Sequence, residues 1–218
     1  MGWLTQALRG FGPTIPRPTA TEALRAALGA GIGLFLTGIL LYLITPTPSL
    51  LNAPLLIAPF AASAVLVFAV PNSPLAQPWA VIVGNSTAAL LGLLAARAIP
   101  YALPAAAVAV LLTLLTTAAL RATHPPAGAA AMASVLAYHP DAPTPLIFVL
   151  HPVLTGSALL VLTGLLWNRS TGRAYPLRQT PPAPHGTSDH RPQPRSTPSP
   201  ETLRIALQNQ RLGANIGV

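Results

Sequence analysis

The sequence has 218 residues, 52% hydrophobic and only 7% charged, far from the roughly 25% charged usage of a soluble domain, so the chain reads as a membrane protein. Its twelve basic residues, all arginine, outnumber four acids, but they gather near the two termini rather than along a stripe, which argues against nucleic-acid binding. Cysteine is absent, which excludes disulfides, thiolate nucleophiles and zinc–thiolate sites.

Residues 1–22 are read as a cytoplasmic N-terminal segment. Arg9, Arg17 and Arg25 precede the first apolar run, Leu28 to Ile44, which ends in "ITPTPS" with no small-x-small cleavage site. A retained transmembrane helix is expected there, not a secretory signal. "MGWLTQ" also lacks the Ser or Thr that myristoylation needs at its sixth position.

Six apolar segments can be drawn, at about 24–44, 54–70, 79–99, 102–120, 125–138 and 146–167. The first, third, fourth and sixth approach the ~20 residues of a spanning helix. The second and fifth are short and begin at proline, as discontinuous or re-entrant helices do. The fold class is all-α, a polytopic transmembrane helix bundle over residues 23–168. Its halves resemble each other: "APFAASAVLVFAVPNSPLAQP" is followed by a helix ending "GLLAAR", and "HPPAGAAAMASVLAYHPDAPTP" by one ending "GLLWNR". If all six segments cross, such a three-segment repeat is inverted in the membrane. Four crossings with re-entrant second and fifth segments are the alternative, and Arg97 and Arg121 change sides between the two arrangements.

Arg169, Arg173 and Arg178 follow the last segment, so both termini are expected in the cytoplasm, in a bacterial inner membrane. Residues 169–200 are assigned to a disordered Pro-rich linker, and 201–218 to a short amphipathic tail helix lying on the membrane or a partner. "NRS" at 168 is an acceptor pattern without consequence on the cytoplasmic side.

"RATHPPAGAAAM" (121–132) holds the main candidate site. Pro125 and Pro126 suit the first turn of a helix, where a missing N–H has no partner to lose. The small residues that follow, Gly128 among them, would let a ligand approach the remaining N–H groups, an anion seat at a helix start. His124 adds a hydrogen bond or, protonated, a charge; Thr123 adds a hydroxyl, and Arg121 a compensating charge. The matching place in the first half is Ala58-Pro59 with Ser63 as its hydroxyl. Gln77 and Asn85 offer uncharged amides. His151-Pro152 is assigned to helix shape. No carboxylate pair, nucleophile elbow, phosphate loop or metal cluster is recognisable, so neither an enzyme nor a cofactor is expected. His185, Asp189 and His190 in the tail are read as coincidence.

"APFAASAVLVFAVPNSPLAQPWAVIVGNSTAALLG", "THPPAGAAAM" and "GLLWNRSTGRAYP" resemble signature stretches of the HPP family of integral membrane proteins, over about residues 20–178. The resemblance implies a membrane protein of four or more helices, and some plastid and cyanobacterial members are associated with nitrite transport. By position it singles out His124, Pro125, Pro126 and Gly128, with Ser63, Pro74, Gln77, Pro78, Gly84 and Asn85. Ala61 stands where a glycine is expected, a departure that bears on substrate. No CBS-type domain follows, so nucleotide sensing is not implied.

The expected function is transport of a small anion, nitrite foremost, through a channel or a proton-coupled carrier. The partners are the lipid bilayer and that anion, with no nucleic acid and with a homo-oligomer left open. The alternative is a non-transporting membrane scaffold or assembly subunit. Reporter fusions at Gly2 and Val218 are expected to report the cytoplasm at both ends; external signals at both would reverse the orientation.

Overall fold

The computed structural model describes residues 16–44, 54–139, 145–177 and Glu201. The chain divides into two units, residues 1–24 with 196–218, and residues 25–195. The described part of the first is short. There the Thr19 hydroxyl accepts a hydrogen bond from the Glu22 amide (3.2 Å) and so caps the helix that begins at Ala20. The tail helix expected over 201–218 lies outside the described residues, apart from Glu201.

The second unit holds the bundle. In chain order the helices are α1 (Ala20–Ile44), α2 (Pro54–Ala69), a 3-10 turn (Pro74–Ala76), α3 (Pro78–Ala98), α4 (Ala102–Ala119), α5 (Ala127–Leu136), and α6 (Pro145–Phe148), which passes through a π-helical segment (Val149–Leu154) into α7 (Thr155–Ser170). Among the described residues four helices are long and apolar enough to cross a membrane: Ala20–Ile44, Pro78–Ala98, Ala102–Ala119 and Leu146–Ser170. α2 and α5 are the short pair expected from their prolines. With 10 residues, α5 extends about 15 Å, half of a hydrocarbon core.

Named contacts fix the directions. Near the start of α1, Arg25 reaches the end of α2 and the end of α7, donating from Nη2 to the Phe68 carbonyl (2.8 Å) and from Nη1 to Asn168 Oδ1 (3.1 Å). Trp79 at the start of α3 donates to the carbonyl of Leu120, just beyond α4 (3.0 Å). A β-carbon at Gly84 would meet the Ala122 carbonyl and His124, and one at Gly92 would strike Ala131 and Ser134; α3 and α5 therefore run parallel. Gly156 faces Phe60 and Gly164 faces Val67 in the same way, so α7 runs parallel to α2. The six segments thus alternate in direction, which puts Arg97 and Arg121 at opposite ends of the unit.

The two parallel pairs mirror each other in sequence. Gly84, Asn85, Gly92 and Arg97 of α3 recur at identical spacing as Gly156, Ser157, Gly164 and Arg169 of α7. This is the arrangement an inverted repeat produces. α1 and α4, the first segment of each half, are the least buried of the four long helices. Their outer faces carry exposed Leu, Ile and Phe, as a surface turned to lipid requires. Between α3, α4 and α5 the core is almost all alanine: Ala88, Ala95, Ala105, Ala109, Ala127, Ala130 and Ala131. Small side chains bring these backbones close, and dispersion then replaces the hydrophobic drive that lipid does not supply.

α4 and α7 end alike. Arg121 N donates to Ala118 O (3.1 Å) and Ala122 N to Thr117 O (2.8 Å); Gly172 N donates to Arg169 O (3.2 Å) and Arg173 N to Asn168 O (2.7 Å). Both are Schellman turns. The left-handed residue is Gly172 in one (φ 75°) and Arg121 in the other (φ 53°). Beyond α7 the chain does not become linker at once, as the assignment of 169–200 had it. Tyr175 is buried, with its hydroxyl on the Ala76 carbonyl (3.0 Å), and the Leu177 amide donates to Gln77 Oε1 (2.8 Å). A large aromatic with a satisfied hydroxyl anchors this segment even though prolines follow it.

Asn168 is likewise more than an exposed acceptor pattern. It is fully buried, donating from Nδ2 to Val67 O (3.1 Å) and Gly164 O (2.9 Å) while Oδ1 receives Arg25. Asn168→Ala removes two bonds to carbonyls and one of those made by the Arg25 guanidinium, and is expected to cost on the order of 3 kcal/mol, read as a lower melting temperature in detergent. A melting temperature equal to that of the unmodified protein would dismiss the clamp. Arg121→Gly is expected to match or exceed the unmodified protein in the same measurement, and Arg121→Val to lose about 1–2 kcal/mol, because only glycine takes a left-handed backbone freely.

Candidate functional site

Three helices and one turn each contribute one polar side chain to a single buried row. α2 supplies Ser63, α3 Asn85, α7 Ser157, and the turn leading into α5 supplies His124; all are buried. Ser63 Oγ and His124 Nε2 lie 2.8 Å apart, and His124 Nδ1 lies 2.8 Å from the Leu75 carbonyl. Asn85 Nδ2 donates to Ser63 Oγ and to Ser157 Oγ, each at 3.2 Å. Asn85 Oδ1 is buried without a hydrogen-bond partner.

Local sequence explains the meeting. Gly84 removes the side chain that would collide with Ala122 O and His124, so α3 can lie against the turn. Pro125 and Pro126 break the helix there and hold His124 at its mouth. The 3-10 turn Pro74–Ala76, capped by Ser73 Oγ on the Leu75 amide (3.2 Å), presents the Leu75 carbonyl to the imidazole.

A small cavity, about 10 Å³, adjoins this row. Pro59, Phe60, Asn85, Ser134, Phe148 and Val153 are among its lining. Its volume accommodates one water-sized group. Ser134 Oγ already donates to Ala130 O (2.8 Å), which leaves Asn85 Oδ1 as the unanswered polar side-chain atom on the wall. One side of the wall is the π-helical segment. Pro152 interrupts its hydrogen-bond ladder, and Thr155 Oγ1 reaches back to Leu150 O (3.0 Å); a π turn of this kind is a frequent feature of functional sites.

His124 lies in the connection between α4 and α5, outside the four spans. Desolvation lowers its pKa to about 4, against a smaller opposing effect of the Leu75 hydrogen bond. No described residue of this unit is a carboxylate. The imidazole is therefore neutral near pH 7.

The other sequence candidates are distributed more widely. The Ala127 and Gly128 amides at the start of α5 already donate to His124 O (2.8 Å) and Pro125 O (3.2 Å), so the seat of free N–H groups is filled by the chain's own turn. Pro125 is exposed and Pro126 buried, with Thr123 half-buried beside them. A β-carbon at Gly128 would meet nothing within 4 Å; the close approach falls at Gly84 and Gly92. Gln77 is a clamp, donating from Nε2 to Pro71 O and Ser73 O, both 2.8 Å, while Oε1 accepts from Leu177. Arg121 is exposed in its Schellman turn, and His151 is half-buried in the π segment. Sequence reasoning missed Ser157. The signal was present: Gly156-Ser157 stands in register with Gly84-Asn85. Among the described residues no group of three or more His, Asp or Glu is placed to hold a metal.

A model of the HPP transmembrane region matches residues 15–176. Two transmembrane proteins of Dictyostelium discoideum are 36% identical over 148 residues, covering 65% of this chain and 52% of the relative, and 32% identical over 155 residues, covering 69% and 49%. The chain thus spans about half the length of these curated relatives. No solved structure matches. With the model covering most of the chain, and with His124, Pro125 and Pro126 at the core of the site, the chain belongs to the HPP family of transmembrane proteins.

Proposed function

We propose that this membrane protein transports a small anion, with nitrite the first candidate. One observation carries the reading: a continuous buried polar row, Ser157, Asn85, Ser63 and His124, to which α7, α3, α2 and the turn leading into α5 contribute one member each. Polar groups inside a lipid-embedded bundle are costly and are mostly retained for a task. Two inverted pairs meeting on such a row is the geometry through which rocking of one half against the other exposes a site to either side. The buried row offers no carboxylate for the chemistry of an acid–base enzyme; its members are two serines, an asparagine and a histidine.

In this reading Asn85 touches the solute and His124 positions it through Ser63. Gln77 and Arg121 serve the fold. The end that gathers Arg25, Arg121, Arg169 and Arg173 is assigned to the cytoplasm of a bacterial plasma membrane, by the positive-inside rule.

Uptake of labelled nitrite, nitrate, formate and chloride into liposomes holding the full chain tests this. Flux above that of protein-free vesicles is expected for nitrite. No selective flux, together with a co-purifying partner, would favour a membrane scaffold instead. His124→Ala is expected to weaken the apparent affinity about ten- to a hundredfold, the worth of a hydrogen bond to a charged or strongly polar group. His124→Gln, which can still accept from Ser63, should recover most of that loss, and His151→Ala should stay within about twofold of the unmodified protein. Equal affinity for His124→Ala and unmodified protein would remove His124 from the path.

A further inference from the structure

The two ends of the Asn85 amide are not interchangeable. A carbonyl oxygen only accepts, so His124 Nδ1, 2.8 Å from Leu75 O, carries the proton of the neutral ring. Nε2 is then a bare acceptor, and the Ser63 hydroxyl at 2.8 Å must donate to it. That commits the single Ser63 proton. The 3.2 Å contact between Ser63 and Asn85 can therefore form only if Asn85 turns its NH₂ toward Ser63, and the second amide hydrogen goes to Ser157. Turning the amide around would set a carbonyl oxygen against a hydroxyl oxygen with no hydrogen between them. Asn85 Oδ1, buried and unpartnered, is fixed as the polar side-chain atom left over on a residue that lines the cavity.

A lone carbonyl oxygen repels an anion and selects a donor. None of the residues lining the cavity is charged. The described arginines of the unit lie near the ends of helices or beyond them: Arg25 in the second turn of α1, Arg97 and Arg169 in the last turns of α3 and α7, Arg121 and Arg173 in the turns that follow α4 and α7.

We propose that this cavity binds its ligand as a small neutral hydrogen-bond donor, so that a weak monobasic anion such as nitrite is taken only with its proton, the acid O–H donating to Asn85 Oδ1. The proposal rests on the transport reading above and narrows its substrate class. Conjugate acids of weak monobasic anions, nitrite and formate among them, qualify; nitrate and chloride, whose acids are fully ionised in water, do not. The proton arrives and leaves on the ligand, and no bond to the protein is made.

The titratable groups around the cavity are few. His124 adjoins it through Ser63 and is held neutral by burial. Tyr138 packs with Ala89 and Val153, and His151 stands two places before Val153 in the π segment. α2, α3, α5 and α7 line or adjoin the cavity with Pro59, Phe60, Ser63, Asn85, Ser134 and Ser157, which do not titrate. An acid of three non-hydrogen atoms is larger than the present volume, so its entry needs the wall to yield, and Phe148 and Val153 stand where the helix ladder is already irregular.

Full-length protein in liposomes, with an internal pH dye and the membrane potential clamped by potassium and valinomycin, tests the proposal. Nitrite flux above that of protein-free vesicles is expected to rise about tenfold per pH unit of acidification between roughly pH 8 and 6, as the undissociated fraction does. One proton should enter per nitrite, at a rate independent of the clamped potential. Formate should behave alike, and nitrate and chloride should stay at the protein-free level. Asn85→Leu should lose at least about tenfold in flux, and so should Ser63→Ala, whose Asn85 amide is free to turn. Nitrite flux driven by potential without proton entry, or equal passage of nitrate, would overturn the proposal while leaving transport standing. So would unchanged flux in an Asn85→Leu protein of unaltered melting temperature, which would mean that the cavity holds water only. Absence of protein-dependent flux for every solute would overturn the proposal and the transport reading together.

Discussion

The structure depends on how closely α3 and α5 can approach. At Gly92 a single β-carbon would collide with the Ala131 carbonyl, and at Gly84 it would come within 2.8 Å of Ala122 O. In lipid, two helices gain little by hiding apolar surface from each other, and their attraction comes from short-range packing and from polar contacts that packing makes short enough. Glycine provides both here. The α7–α2 pair repeats the arrangement with Gly156 and Gly164, and α1 joins it where Gly29 and Gly33 admit Phe68. Only with the helices this close do Ser63, Asn85, Ser157 and His124, drawn from distant parts of the chain, come within hydrogen-bond reach.

Two buried asparagines show how the same residue type can serve different ends. Asn168 has both halves of its amide answered, by two carbonyls and a guanidinium, and is a closed structural joint. Asn85 has its nitrogen answered twice and its oxygen not at all. An unanswered buried carbonyl costs roughly 1–3 kcal/mol. Among the described residues Ser86 Oγ, Thr113 Oγ1 and Trp167 Nε1 are also buried without a hydrogen-bond partner, but none of these three residues lines the cavity, and Asn85 does.

The six segments, the proline-started short pair and the near-repeat of the two halves were legible in the sequence because each is a local pattern of hydropathy, proline and glycine. His124, Ser63 and Asn85 were legible as polar residues in apolar runs. What the sequence did not disclose are partnerships across the fold. Arg25 reads as a topology charge until it is seen on Asn168 and Phe68 O. Gln77 reads as a binding amide until its three bonds to Pro71, Ser73 and Leu177 are seen. Arg121 reads as a ligand for an anion, yet it occupies a position that backbone geometry reserves for glycine, and Gly172 in the equivalent turn shows this. The start of α5 reads as an anion seat because periodicity cannot tell that the chain's own carbonyls take the first free amides.

The arginine-rich end has a consequence in terms of ionic strength. Arg25, Arg121, Arg169 and Arg173 collect at one end of a unit in which no described residue is acidic, and such a rim generates a positive local potential that draws counter-ions inward. The same potential concentrates a univalent anion and depletes protons by reciprocal factors. A site fed by the bare anion would therefore lose occupancy as added salt shortens the Debye length from about 10 Å at 0.1 M toward 3 Å at 1 M. A site fed by anion and proton as a pair would not, because the two factors cancel and the supply of neutral acid at the mouth equals that in bulk solution.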